Sequence, residues 1–161
     1  MPVIRDIPLF GIFLSRLLSG PREAVAGITW PVDIENSLRA VGYTKVINKA
    51  NTTRLAGYQL MNEASDLNRK GYHVLMLINT QLLGQNSAWS ATADHWVKLR
   101  SAITEDMWAF KGKAGGAATS GVSFTIYNPA GGSTDQRVPR TGMVPLELFL
   151  NNFYGFVAAK L

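Results

Sequence analysis

The chain has 161 residues, 47% hydrophobic and 17% charged, which suits one packed domain and excludes a disordered one. Its net charge is +5, but the basic residues are scattered (Arg39, Lys45, Arg54, Arg69, Lys98, Lys111 among them), so no polybasic patch for nucleic acid or membrane is indicated. There is no cysteine, which excludes disulfides, thiolate metal sites and a cysteine nucleophile within these residues.

Residues 1–18 are largely apolar, and the chain turns loop-like at Ser19-Gly20-Pro21. The apolar run from Ile7 is too short for a bilayer, which needs ~20 residues. Pro8, Gly11 and Arg16 interrupt it as a signal peptide. It reads as a segment packing on the core, and the location defaults to cytoplasmic. Thr29-Trp30-Pro31 opens a helix: Thr29 can cap, Pro31 suits the first turn, and Asp33 and Glu35 face the positive end of the dipole. Ile34, Leu38 and Val41 mark its apolar face, and Gly42 stops it. Tyr43–Asn48 reads as a short strand.

A second helix is expected from Arg54 to about Lys70, with Leu60, Ala64 and Leu67 at helical spacing and Gly71 as its stop. Tyr72–Thr80 is a continuous apolar run and suits a central buried strand. Gln81–Ala93 is a loop carrying Trp89. His95–Ile103 is the next strand, with His95, Val97 and Leu99 on one face and Trp96, Lys98 and Arg100 on the other. Thr104–Gly121 contains a Gly-rich loop, 112–121. Val122–Asn128 is a strand, Thr134–Pro139 another short one, Pro145–Phe153 a helix stopped near Gly155, and Phe156–Leu161 an edge strand. No repeat or linker divides the chain. The fold class is α+β over residues 1–161 as a single domain: N-terminal helices on a mostly antiparallel sheet.

Pairing the strands 95–103 and 122–128 antiparallel, with Leu99 opposite Phe124, sets Val97 opposite Ile126 and His95 opposite Asn128. A carboxamide oxygen beside one imidazole nitrogen would fix the ring, leaving the other nitrogen as a general base. By default, a histidine at a strand start is a hydrogen-bonded structural residue, and an asparagine before proline opens a turn. Ser87, Ser90 and Thr92 lack the setting of a serine nucleophile. Gly115-Gly116 lacks that of a phosphate loop. With two histidines and no clustered carboxylates, no metal site or cofactor is indicated.

Asp94-His95-Trp96-Val97-Lys98-Leu99, followed by a strand ending Tyr127-Asn128-Pro129, resembles the second half of papain-like cysteine peptidases. The nearest branch is the bacterial one close to the bacteriocin-processing (double-glycine) peptidases. The step Gly71-Tyr72-His73-Val74 into an apolar strand and the closing Phe149–Ala159 resemble that branch too, so the likeness spans roughly residues 27–161. The resemblance implies a papain-like fold and hydrolysis of a peptide or amide substrate, with His95 as base and Asn128 as its orienter. Trp89 and Trp96 flank the expected cleft as candidate binding residues, with core or rim packing as their default role. Family members carry a nucleophilic cysteine at a helix start that precedes all of these motifs. Ser19-Gly20-Pro21 has the letters of such a Cys-Gly-Pro site, but no long helix follows it. The expectation is therefore either the C-terminal part of a longer enzyme, completed by a missing N-terminal segment or a partner chain, or a nucleophile-free member that binds rather than cleaves. A mildly basic surface-binding protein is a third reading, and the scattered charges disfavour it.

Overall fold

The computed structural model describes residues 30–84, 92–109, 118–129 and 135–161. The expected apolar segment at 7–18, the Thr29 cap, Ser19-Gly20-Pro21, Ser87, Trp89, Ser90 and the tip of the Gly-rich loop lie outside these residues. Within them the chain is α+β, an open antiparallel sheet with helices on its faces.

Helix α1 (Pro31–Ala40) starts with proline at its first position and buries Ile34 and Leu38. Gly42, at φ 104°, turns the chain into β1 (Lys45–Asn48). Helix α2 (Tyr58–Arg69) begins four residues later than the expected Arg54, after Gly57 at φ 89°. It buries Met61, Ala64 and Leu67 and gives way at Gly71 to β2 (His73–Ile78). A 3-10 turn, Thr80–Leu83, follows. Then come β3 (His95–Leu99), β4 (Thr104–Ala109), β5 (Ala118–Tyr127), β6 (Asp135–Val138), β7 (Val144–Pro145), the short helix α3 (Leu146–Leu150) and β8 (Phe153–Lys160).

The main path of the sheet runs β1-β8-β2-β3-β5-β4, with β6 and β7 also paired to β5, and every pairing is antiparallel. Strand β2 is interior, as its unbroken apolar run requires. Strand β8 is interior as well, between β1 and β2, and not the expected edge. Seven of its eight residues are buried because both of its faces meet a core. Strand β4 falls where no element was expected, before the stretch 112–121 read as loop, and β5 begins at Ala118, inside that stretch. Residues 104–107 are exposed, so no alternation of apolar side chains announced it.

Strand side chains alternate between two cores. Val74, Met76 and Ile78 of β2 and Val97 and Leu99 of β3 pack on α2 and α3. Leu75, Leu77 and Trp96 point the other way, with Ile34 and Leu38 of α1. On the first face Phe149 joins the helical side to the strands, its ring 5.5 Å from Phe124 and 5.0 Å from Phe153. Gly155 was expected to stop a helix. It lies instead inside β8 at φ 99°, where Met76 faces Phe156 and Ile78 faces Phe153. Three steps on β8 against two on β2 make a bulge, which puts Phe153 and Phe156 on the same face. A Cβ at position 155 would overlap the Lys49 carbonyl oxygen, so glycine permits both the positive φ and the close approach of the chain.

The β3–β5 register differs from the expected one by two residues. Leu99 faces Ile126 and Lys98 faces Tyr127, and the ladder continues as the Arg100 N–H donates to the Thr125 carbonyl oxygen. A slip of two keeps every side chain on its face, so the apolar pattern fits both registers equally well.

Candidate active site

His95 opens β3 opposite Ile78, and its position is set by a group of polar contacts just upstream. Asn79 ends β2 and caps the 3-10 turn: its Oδ1 accepts the Gln81 N–H at 2.9 Å, and its Nδ2 donates to the Thr92 carbonyl oxygen at 2.8 Å. Asp94 accepts from the Thr80 N–H at 2.8 Å and from the Thr80 hydroxyl at 3.0 Å. Its own N–H donates to the Ile78 carbonyl oxygen at 3.0 Å. The backbone entering β3 is therefore tied to the end of β2 through both main chain and side chain. This is the role of Asp94, and its residue type in a loop before a strand is the only sequence signal for it.

Asn128 follows the last residue of β5 and is 4% exposed. His95 Nε2 lies 2.7 Å from Asn128 Oδ1. The pair meets despite the shifted register because both side chains occupy the same face, two positions apart across the ladder, within diagonal reach. A carboxamide oxygen only accepts, so Nε2 carries the proton in this contact. In a neutral ring, Nδ1 then holds the lone pair. Burial pushes the His95 pKa below the ordinary value, while the Asn128 hydrogen bond and the Asp94 charge partly oppose it. The ring is thus neutral near pH 7, the form in which imidazole takes up a proton.

Of the two aromatic residues expected to flank the cleft, Trp96 does not do so. Trp96 is 1% exposed and belongs to the core against α1, on the face opposite His95. The alternation along β3 requires this, since neighbours in a strand point to opposite faces. Trp89 lies outside the described residues. The concave surface beside the pair is formed elsewhere. Asn128 lines a cavity of about 630 Å³ together with Leu82, Val138 and Leu148, with Arg137 of β6 and with Arg140 from the turn after it. Nothing in the periodicity of that turn pointed to a binding surface.

His73, to which no role was assigned, packs edge-on to Tyr43 with ring centroids 5.8 Å apart. Burial and the charges of Lys98 and Arg100 hold its pKa down at about 4. Lys98, at the buried end of the same patch, is lowered to about 8, chiefly by burial. Among the described residues no three of His, Asp and Glu converge as metal ligands, and no helix is long and apolar enough to cross a membrane.

No family model, curated protein or solved structure matches this chain.

Proposed function

We propose that this chain is the histidine–asparagine part of a papain-like cysteine hydrolase acting on peptide or amide bonds, and that by itself it is inactive. The observation that carries the reading is the 2.7 Å contact from His95 Nε2 to Asn128 Oδ1. It divides the labour of the two ring nitrogens as such a site needs. Asn128 holds the ring and its tautomer through Nε2, and Nδ1 is the atom that would take the proton from a thiol. The thiolate attacks the amide carbonyl, and the imidazolium then returns the proton to the leaving nitrogen. The chain has no cysteine, so on this reading the thiol comes from outside these 161 residues, from a preceding segment. The antiparallel sheet with α2 leading into β2, β3 opening on the histidine and β5 followed directly by the asparagine supports the same reading.

The second reading is a non-catalytic binding module on the same scaffold. The absence of cysteine together with the 630 Å³ cavity beside Asn128 favours it.

The test joins this chain to the in-frame coding sequence directly upstream and assays peptide hydrolysis. The first reading expects a cysteine-bearing segment, activity abolished by iodoacetamide, and a loss of about 10²–10⁴-fold in His95→Ala. An upstream sequence without an in-frame cysteine, or hydrolysis indifferent to His95→Ala, rejects that reading and leaves the binding module.

A further inference from the structure

The cavity beside Asn128 has a chemical character of its own. Its wall combines apolar side chains, Leu82, Val138 and Val144, with two arginines, Arg137 in β6 and Arg140 in the turn after it. Among the described residues no Asp or Glu contributes to the lining. Asp135, the acid nearest in sequence to Arg137, is engaged by Arg100 at 3.0 Å. Arg137 is anchored on its own turn: Nη1 donates to the Pro139 carbonyl oxygen at 2.6 Å and Nη2 to the Gly142 carbonyl oxygen at 2.8 Å. Those acceptors are neutral, and among the described residues no ion pair to Arg137 is seen, so its position is fixed while its charge is not offset by them. Arg140, three residues on, is exposed and lines the same space. A volume of about 630 Å³ falls within the range of small-ligand sites. A space lined by apolar side chains and by two arginines complements a ligand with an apolar group next to an anion.

We propose that this cavity is a subsite for an acidic side chain flanked by an apolar one in a peptide, with Arg140 and Arg137 facing the carboxylate. The proposal deepens the hydrolase reading and rests on it for the substrate being a peptide. Asn128 is shared between the cavity wall and the contact with His95, so a peptide seated there lies against one member of the candidate catalytic pair. Arginine suits the task because its planar fork can meet both carboxylate oxygens.

Binding of acetyl-Leu-Glu-amide to the full chain, followed by nitrogen–proton NMR titration, tests this without any turnover. The expected result is saturable binding with shifts at Asn128, Val138 and Arg140. Acetyl-Leu-Gln-amide should bind at least about tenfold more weakly, the loss of one charge-assisted contact. Arg140→Gln should weaken the Glu peptide by a similar factor, and it is safe for folding because Arg140 is exposed. Arg69→Gln, on α2, should leave binding unchanged. His95→Ala should also still bind, which separates this proposal from the hydrolase reading: loss of hydrolysis there leaves the subsite standing. Equal affinity for the Glu and Gln peptides, indifference to Arg140→Gln, or binding only of acetyl-Leu-Gln with a free C-terminal carboxylate would overturn it.

Discussion

Replacing Asn128 probes the candidate pair from the side of the residue whose chemistry is simplest. Asn128→Ala removes the 2.7 Å acceptor and leaves the His95 Nε2–H without it in a largely buried setting. An unsatisfied buried donor costs about 1–3 kcal/mol. At a midpoint value of about 2 kcal/mol, a chain of this size should melt about 4–8 °C lower. The proton balance gives a second, independent signal. The Asn128 hydrogen bond raises the His95 pKa against the larger effect of burial, so its loss lowers that pKa further. In the wild type the folded pKa lies below the unfolded value of 6.5. The unfolded chain therefore binds more protons below pH 6.5, and this contribution to stability is present above that pH and lost as pH falls toward the folded pKa. Asn128→Ala should steepen the loss. Asn128→Asp places a carboxylate against the ring and should move the His95 pKa up, flattening the loss or reversing it. Urea denaturation at pH 7.5 and pH 5, with His95 followed by proton NMR titration, measures both effects. If Asn128→Ala stays within about 0.5 kcal/mol of wild type, as a neutral surface change would, and His95 titrates unchanged, the contact does not exist in solution.

Three further outcomes follow from the fold. Trp96→Ala should cost about 3–5 kcal/mol in urea denaturation, because its ring is core against α1 and not a cleft wall; a change under about 1 kcal/mol would place the ring at the surface. Gly155→Ala should destabilise by at least about 2 kcal/mol, since it combines a φ of 99° with a Cβ 2.8 Å from Ala50 Cα; a neutral effect would remove the bulge. For His73, held near 4 against 6.5 unfolded, stability should fall as pH drops through that interval, and His73→Gln should remove about 1–2 kcal/mol of the dependence, a value discounted for its partial exposure. An unchanged pH profile of the urea midpoint in His73→Gln would contradict the burial and charge around that ring.

The legibility of the fold divides along physical lines. Strand β2 and helix α1 were readable because their burial writes a regular apolar pattern: a continuous run for a two-faced strand, and Ile34 with Leu38 for a one-faced helix. Strand β8 carries the same two-faced signal in Phe156, Val157, Ala158 and Ala159, yet its place at the end of the sequence suggested an edge. Position along the chain says nothing about position in an antiparallel sheet. Strand β4 was illegible because its described side chains are solvent-facing and it holds two acids, Glu105 and Asp106.

The candidate site shows the same division. Histidine 95 and asparagine 128 could be brought to one face by counting, because strand parity survives a two-residue slip. The register itself could not be read, since side chains repeat every two residues and the apolar faces match in either alignment. Trp96 was read as flanking the cleft, with core or rim packing as its default; the alternation that put His95 on one face put Trp96 on the other, in the core. Arg137 and Arg140 were invisible as binding residues. Their convergence depends on a turn whose hydrogen bonds run from Arg137 to Pro139 and Gly142, and no periodic pattern encodes that.

The central claim is that Asn128 holds His95 as a neutral base with its proton on Nε2 and its lone pair on Nδ1. Nitrogen-15 NMR of the imidazole at pH 7.5 reads this directly. The account predicts a protonated Nε2 coupled to the carboxamide of Asn128, an unprotonated Nδ1, and loss of that tautomer preference in Asn128→Ala. A proton on Nδ1, a ring averaging between tautomers in the wild type, or a spectrum unmoved by Asn128→Ala would contradict it.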